Sequence, residues 1–453
     1  MHLMGYVGVG SCFRQMVMVF VCQFLLSATP LLASSQSGQC QPTKRKESVK
    51  YAPIPITLVG EGRFFGAPIG NLLAFRYDGK NFSQATVQVD ERNKNGDLVL
   101  DGGLPYTRNS DDGLFDNNDE FVFTSDQLGE DFQTHRIPRE ISDRFANAWK
   151  LVVCHSGNYQ GVLLVGQATG YVAKSWHYPV AFDSDRGVVE TDGYRYEFNK
   201  DRAALLGQVF LKSNGKAEKV FESSTFTMPM RTPWFVPDLT LDESHFTSTI
   251  ESWQSGPVRT VVAVGVKMKK FFSVLNLHLF SELVFYPSSF QIPTKVEFIF
   301  SPNSFLSAGS GVAYAVKIAD AAQWDIQTNL PPLADLSREA VGTTRAPFVA
   351  SGNKGTSQFS MRVMVDEKAE RNSQAPRSFR KNDMQSGELR RHHPWLKKMD
   401  GDWGVFVDFS GLGKGLYDFG LDLILSSGAE NQTIRSPDTV AFGWHTVLPA
   451  ISN

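Results

Sequence analysis

The sequence predicts an all-β protein, an antiparallel β-sandwich built as a smaller N-terminal β domain plus a large sandwich domain. Three observations predict it. Short runs rich in β-branched and aromatic residues recur with Gly, Pro, Asn or Asp between them. Hardly any stretch carries apolar residues at the 3.6-residue spacing of a long amphipathic helix. Several later runs alternate cleanly and are joined by short turns, the pattern of neighbouring antiparallel strands.

Taken in order, residues 1–35 read as a secretory signal peptide. Arg14 is followed by the apolar run Met16 to Leu26, then by Ser27, Ala28, Thr29, Pro30 and the small residues Ala33-Ser34-Ser35. An uncleaved anchor is the competing reading, because the apolar stretch reaching Leu32 approaches the roughly 18 residues that begin to span a bilayer. Cys40 follows Ser37-Gly38-Gln39, which departs from a lipoprotein cleavage box at Gln39. Residues 36–50 are polar, with a basic group at Lys44-Arg45-Lys46, and read as a flexible leader.

The first domain, 51–178, is expected to carry strands at Ile54 to Leu58, Leu72 to Tyr77, Ala85 to Val89, Glu120 to Thr124 and Trp149 to Val153. The second, 179–453, has longer strands. Thr247 to Trp253 leads through Ser255-Gly256-Pro257 into Val258 to Val266, and Leu277 to Tyr286 leads through Pro287-Ser288-Ser289 into Thr294 to Phe300. Phe is unusually frequent at 34 residues, and Phe280, Phe285, Phe298 and Phe300 are expected to fill sandwich core. Between Arg371 and Lys398 eight Lys or Arg (Arg371, Arg377, Arg380, Lys381, Arg390, Arg391, Lys397, Lys398) face Asp383 and Glu388. This stretch reads as a long exposed basic loop inserted at about 366–400. It is either a solvated insertion or a lip for an acidic polymer, with His392, His393 and Trp395 supplying hydrogen bonds and a stacking face.

Composition narrows the function classes. Hydrophobic residues are 42% and charged residues 20%, which excludes disorder as the main state. Lys plus Arg at 45 nearly balances Asp plus Glu at 47, so no global basic field exists to hold nucleic acid. The strands are too uneven for an outer-membrane barrel, and after signal cleavage the chain is expected not to be an integral membrane protein. Cleavage would remove Cys12 and Cys22, leaving Cys40 and Cys154 either as one disulfide in an oxidising compartment or as two unpaired thiols.

The most specific chemistry lies between Asp90 and Glu120. Glu91, Asn93 and Asn95 alternate and are followed by Gly96 and Asp97, like the front half of an EF-hand loop. Position 12 of such a loop is Gly102 rather than Glu, so this is not an EF-hand. The second loop places Asp112, Gly113, Asp116 and Asp119 in a D-G-x-x-D-x-x-D spacing. Over about ten residues that spacing resembles the closing half of thrombospondin type 3 calcium repeats, and the resemblance implies Ca2+ as a ligand of structural rather than catalytic role. Asn, Asp and Gly also simply make good turns, which is the alternative.

No complete catalytic motif occurs. Gly411-Leu412-Gly413-Lys414-Gly415 lacks nucleotide-loop spacing, and neither a G-x-S-x-G elbow nor an H-E-x-x-H pair is present. Ser255-Gly256-Pro257-Val258-Arg259-Thr260-Val261-Val262 resembles a segment of mutarotase-like sandwiches and of some polysaccharide lyases over those eight residues. That resemblance implies a glycan groove, with His245, Arg259, His278 and Tyr286 as candidate base and uronate-neutralising groups. Ordinary turn and strand residues are the alternative at each position. Asn81-Phe82-Ser83 and Asn431-Gln432-Thr433 fit the glycosylation pattern. The expected function is therefore a non-catalytic binding or structural role, periplasmic or extracellular, calcium-stabilised and with polysaccharide as ligand. The alternative is a polysaccharide lyase or glycoside hydrolase on a mutarotase-like sandwich.

Overall fold

The structure is a computed structural model that describes residues 55–448 apart from 95, 105–111, 156–157, 171–178, 214, 236, 269–278, 299–300, 305, 334–347, 366–375 and 428–439. The signal segment, the leader, Asn95 and His278 thus lie outside the described residues. The described chain is built of antiparallel sheets in two sandwiches, as expected for an all-β protein. Among the described residues no helix is long and apolar enough to cross a membrane.

The smaller sandwich packs a three-stranded sheet (Pro55–Val59, Glu120–Thr124, Gln88–Asp90) on a five-stranded one. The five-stranded sheet runs in the order Val440–Leu448, Phe145–His155, Asn158–Ala168, Leu72–Tyr77, Phe82–Gln84. Leu151-Val152-Val153 is a continuous apolar run because this sheet is covered on both faces. Leu151 and Val153 meet Ile56, Phe121 and Phe123 of the small sheet, while Val152 turns to Phe132, Ile141 and Phe145 on the other side. The strand Val440–Leu448 pairs along Phe145–His155, so the chain returns to its first sandwich after building the second. The sequence boundary at 178 assigned this strand to the second domain, because alternation within a strand does not say which strand it will join.

In the larger sandwich two nine-stranded sheets face each other. The first includes Val188–Thr191, Tyr194–Glu197, Gln208–Ser213, Lys216–Met230, Gly311–Ile318 and Trp403–Asp408; the second includes Phe246–Ser255, Thr260–Met268, Leu279–Phe285, Ser289–Phe298, Ser357–Val365 and Gly415–Ser427. Alternate residues of both fill one core, among them Tyr196, Phe221, Phe285, Phe290, Phe359 and Leu423. Tyr196 packs edge-on against Phe285 at 5.0 Å, and Phe285 stacks on Phe290 at 5.6 Å. Of the four Phe residues expected in the core, Phe285 is there; the side chains of Phe280, Phe298 and Phe300 lie outside the described set.

The sandwiches are joined through sheet as well as side chains. Gly102–Gly103 leaves the first unit and adds to the edge of the second large sheet opposite Ser252 and Trp253. Gly103 has φ of 86°, and a Cβ there would sit 2.2 Å from the Glu251 carbonyl oxygen, so only glycine fits this approach.

The expected exposed basic loop is instead folded from Arg377 onward; its part from 366 to 375 lies outside the described residues. Arg377–Arg380 pairs with Trp403–Asp408 at the edge of the first large sheet, and helices Lys381–Gln385 and Gly387–His392 and the 3-10 turn Pro394–Lys398 follow. Met384, Trp395, Leu396 and Met399 cover the outer face of that sheet at Ala313, Ala315, Phe379 and Phe406. Trp395 stacks on Phe406 at 5.1 Å and is therefore not a free stacking face. The apolar residues spaced between the cations were the sign of a covering layer: Arg380, Lys381, Arg391, Lys397 and Lys398 are exposed while Met, Leu and Trp seal the sheet.

Candidate functional site

Two sequence features expected to be separate sites form one buried junction between the sandwiches. Asp90 and Glu120 stand directly opposite each other on neighbouring strands, both fully buried. Like charges in that position repel, and the fold answers with two arginines. Arg259, in the Gly-Pro-Val-Arg turn before Thr260–Met268, places Nε 2.6 Å from Asp90 Oδ2 and donates through a terminal nitrogen to Glu120 Oε2. Its other terminal nitrogen donates to the Tyr286 hydroxyl at 3.2 Å. Arg92 donates from Nε to Glu120 Oε1 at 2.6 Å and from a terminal nitrogen to the Gly96 carbonyl at 2.6 Å. Gln88 completes the fit by accepting the Val258 and Arg259 backbone N–H groups, both at 2.9 Å, while donating to Asp90 Oδ1 at 2.6 Å.

An apolar collar of Leu98, Leu100 and Val122 against Val258, Val261, Ala263 and Val284 keeps water away. Burial alone would raise the Glu120 pKa, but Arg259 and Arg92 outweigh it and hold the carboxyl below its usual range. Glu282 has only a distant cation, Arg92 at 3.8 Å, and burial raises its pKa.

Arg259 and Tyr286 are thus brought together, as the lyase-like resemblance implied, but each is only 3% exposed and faces the first sandwich rather than an open groove. His245 stands at the opposite end of the Phe246–Ser255 hairpin. Its Nδ1 lies 2.9 Å from Asp242 Oδ1 in the cap of a short 3-10 turn. Asp242 also pairs with Lys398 at 2.6 Å. Burial works against ionisation of Asp242, and its bonds from Lys398 and Ser244 overcome it, holding the carboxyl below the ordinary range.

The two acidic loops face each other. Glu91 Oε1 accepts the Gly113 N–H at 2.6 Å, Asp119 Oδ1 accepts that of Arg92 at 2.7 Å, and Asn118 Nδ2 donates to the Asn93 carbonyl at 2.8 Å. Within the loops Asp112 accepts from Leu114, Asp116 from Asn118, and Asp119 Oδ2 from Asp116, each at 2.9 Å; Asn93 Oδ1 accepts from Asp97 at 3.1 Å. These are the bonds of Asx-type turns. Burial, with help from Asp116 and Glu91, raises the Asp119 pKa to about 6 against its backbone bonds. Among the described residues no three His, Cys, Asp or Glu side chains converge where a metal ion could sit. Cys154 is disulfide-bonded, and the other three cysteines lie outside the described residues.

A further polar surface is not one of the sequence candidates. On the second large sheet Phe290 and Ile292, Leu421 and Leu423, and Phe359, Met361 and Val363 point into the core. The residues between them point outward, and pairing sets Gln291, Asp422 and Arg362 in one row across three strands. The next strand, Phe348–Lys354, sets Ser351 beside Ser360 and Asn353 beside Gln358. Neighbouring strands lie about 4.8 Å apart, so amide, carboxylate, guanidinium and hydroxyl groups form a grid at that interval. Asp422 is 4% exposed, and burial raises its pKa to about 6 although Arg362 pulls it down. The available signal was the alternation in Gln358-Phe359-Ser360-Met361-Arg362-Val363, whose polar members share one face.

No family model matches the chain, and no curated protein matches it. Among solved structures, an α-mannosidase from Enterococcus faecalis V583 is similar at a TM-score of 0.37 and 8% identity, covering 84% of this chain and 42% of that one. A protein in glycosyl hydrolase family 38 from Enterococcus faecalis gives 0.34 and 7%, covering 84% and 48%. A heparinase III gene product gives 0.30 and 10%, covering 62% and 43%. The chain spans less than half of each, and similarities at these scores carry no argument about its activity.

Removing one member of the junction strands the others in a dry site. Arg259→Met is expected to lower unfolding free energy by about 3–5 kcal/mol, measured by urea denaturation. For Asp422 the folded-state pKa lies above the unfolded one, so its favourable contribution is complete at low pH and is lost as pH rises through about 6. The stability difference between D422N and the native chain should therefore grow in the variant's favour from about pH 4 to pH 6 and level off above, in the same assay.

Proposed function

We propose that the chain is an exported, non-catalytic carbohydrate-binding protein that holds a polysaccharide on the outer face of the second large sheet. The observation that carries this reading is the row in which Gln291, Arg362, Ser351, Asn353 and Gln358 are open to solvent at least in part, with Asp422 and Ser360 buried between them. Sugar hydroxyls both donate and accept, and a grid of amides, hydroxyls, a carboxyl and a guanidinium offers partners of both kinds. Export rests on the N-terminal signal pattern. The enzyme alternative is weakened because Arg259 and Tyr286 are enclosed by Asp90, Glu120 and Gln88.

Incubation with a panel of acidic and neutral polysaccharides, recording both retention and new chain ends, tests the reading. Retention without new ends is expected, and R362A should weaken it about tenfold, the loss of one charge-assisted hydrogen bond. New unsaturated ends would replace binding by lyase chemistry; absence of retention across the panel would remove the carbohydrate reading.

The paired acidic loops are proposed to take calcium on the strength of their spacing. On that proposal chelation lowers the melting temperature and added calcium restores it, and a transition unmoved by either discards it.

A further inference from the structure

Among the described residues Trp234 and Phe235 are the most exposed large apolar side chains, at 95% and 68%. They occupy the tip of a hairpin whose arms, Lys216–Met230 and Leu239–Asp242, pair from Met230↔Leu239 to Thr227↔Asp242. The tip sequence is Pro233-Trp234-Phe235-Val236-Pro237, with no charged or hydrogen-bonding side chain other than the indole N–H. The base of the tip is tied off: Thr232 N–H donates to Asp238 Oδ1 at 2.9 Å, and Arg231 N–H donates to Ser310 Oγ at 2.8 Å. The rings therefore project from a braced stem.

The covering layer on the first large sheet meets this stem at two points. The Arg231 guanidinium donates to the His392 carbonyl, and Lys398 pairs with Asp242 at 2.6 Å. Those contacts set the exposed Arg391, His392 and Lys397 beside the hairpin. Across residues 227–242, the helix Gly387–His392 and the turn Pro394–Lys398 there are five Lys or Arg (Arg231, Arg390, Arg391, Lys397, Lys398) against Asp238, Asp242 and Glu388. Lys398 and Asp242 offset each other, which leaves four cations against two acids.

We propose that this tip is a peripheral membrane contact: Trp234 and Phe235 enter the interface of an anionic bilayer while Arg391, Lys397 and their neighbours meet lipid phosphates. Aromatic rings settle at the boundary between headgroups and acyl chains, and cations behind them gain from the negative surface potential. The two rings stand at 85° to each other, 5.7 Å apart, and so form a wedge rather than one extended platform. The proposal is independent of the polysaccharide reading, which rests on a different sheet.

The test uses the chain as purified after export, with vesicles of phosphatidylcholine alone and of phosphatidylcholine mixed with phosphatidylglycerol. Sedimentation with the mixed vesicles is expected, and the affinity should fall about 25-fold or more in R391E/K397E, since each basic residue near such a surface contributes roughly a fivefold gain. W234S/F235S should abolish it without altering the melting temperature, because both rings are exposed. W234F should keep binding but lose the part of the fluorescence that brominated lipid quenches. Binding unchanged in W234S/F235S, or no quenching difference between W234F and the native chain, overturns the proposal. So does retention on an acidic polysaccharide that depends on Trp234 without any vesicle binding, which would make the tip a glycan contact.

Discussion

Asp90 and Glu120 are held side by side on two strands of a small sheet, fully buried, and two carboxylates in that position cannot stay ionised without cations at bonding distance. Arg259 comes from the other sandwich, so the small sandwich depends on the large one for its counter-charge. That need fixes the relation between the two halves. Apolar collars slide at little cost, whereas a guanidinium shared between Asp90, Glu120 and Tyr286 has few acceptable positions. The free energy gained over an apolar contact of the same size is small, as for buried ion pairs in general. The arrangement contributes orientation, reinforced by Gly102–Gly103 joining the edge of the second large sheet.

The acidic loops take their shape from the same constraint. Arg92 reaches Glu120 from the first loop and its backbone N–H is held by Asp119 from the second, so the loops are clamped together by the residue that supplies half of the counter-charge. Their carboxylates and the Gly-Pro-Val-Arg turn look unrelated along the chain but are neighbours in space. A charge network of this kind turns residues with catalytic-looking chemistry into fasteners, because Tyr and Arg react with substrates only where substrates can reach them.

Fold class was legible because strand alternation and turn residues are local. Leu283 and Phe285, two positions apart, go into the large core, while Val284 and Tyr286 turn to the collar on the opposite face. Partner choice was not legible. Nothing within Val440–Leu448 announces pairing with Phe145–His155, and nothing near Arg259 announces Asp90, some 169 positions away. The stretch from Arg377 to Met399 misled for a different reason: its cations dominate the composition, while the few apolar residues that decide its placement, Met384, Trp395, Leu396 and Met399, are spread among them. The row Gln291, Asp422 and Arg362 spans three strands from distant parts of the chain and exists only after they pair.

The pairing of Val440–Leu448 with Phe145–His155 also bears on the order of events during synthesis. The five-stranded sheet cannot be completed until the strands of the large sandwich have been made, because the strand that pairs along Phe145–His155 follows them in sequence. Until then Phe145–His155 carries an open edge, a template for wrong partners, and the contact that closes it is among the most distant in sequence, which slows folding. The first sandwich thus stays unlocked for as long as the second is being made.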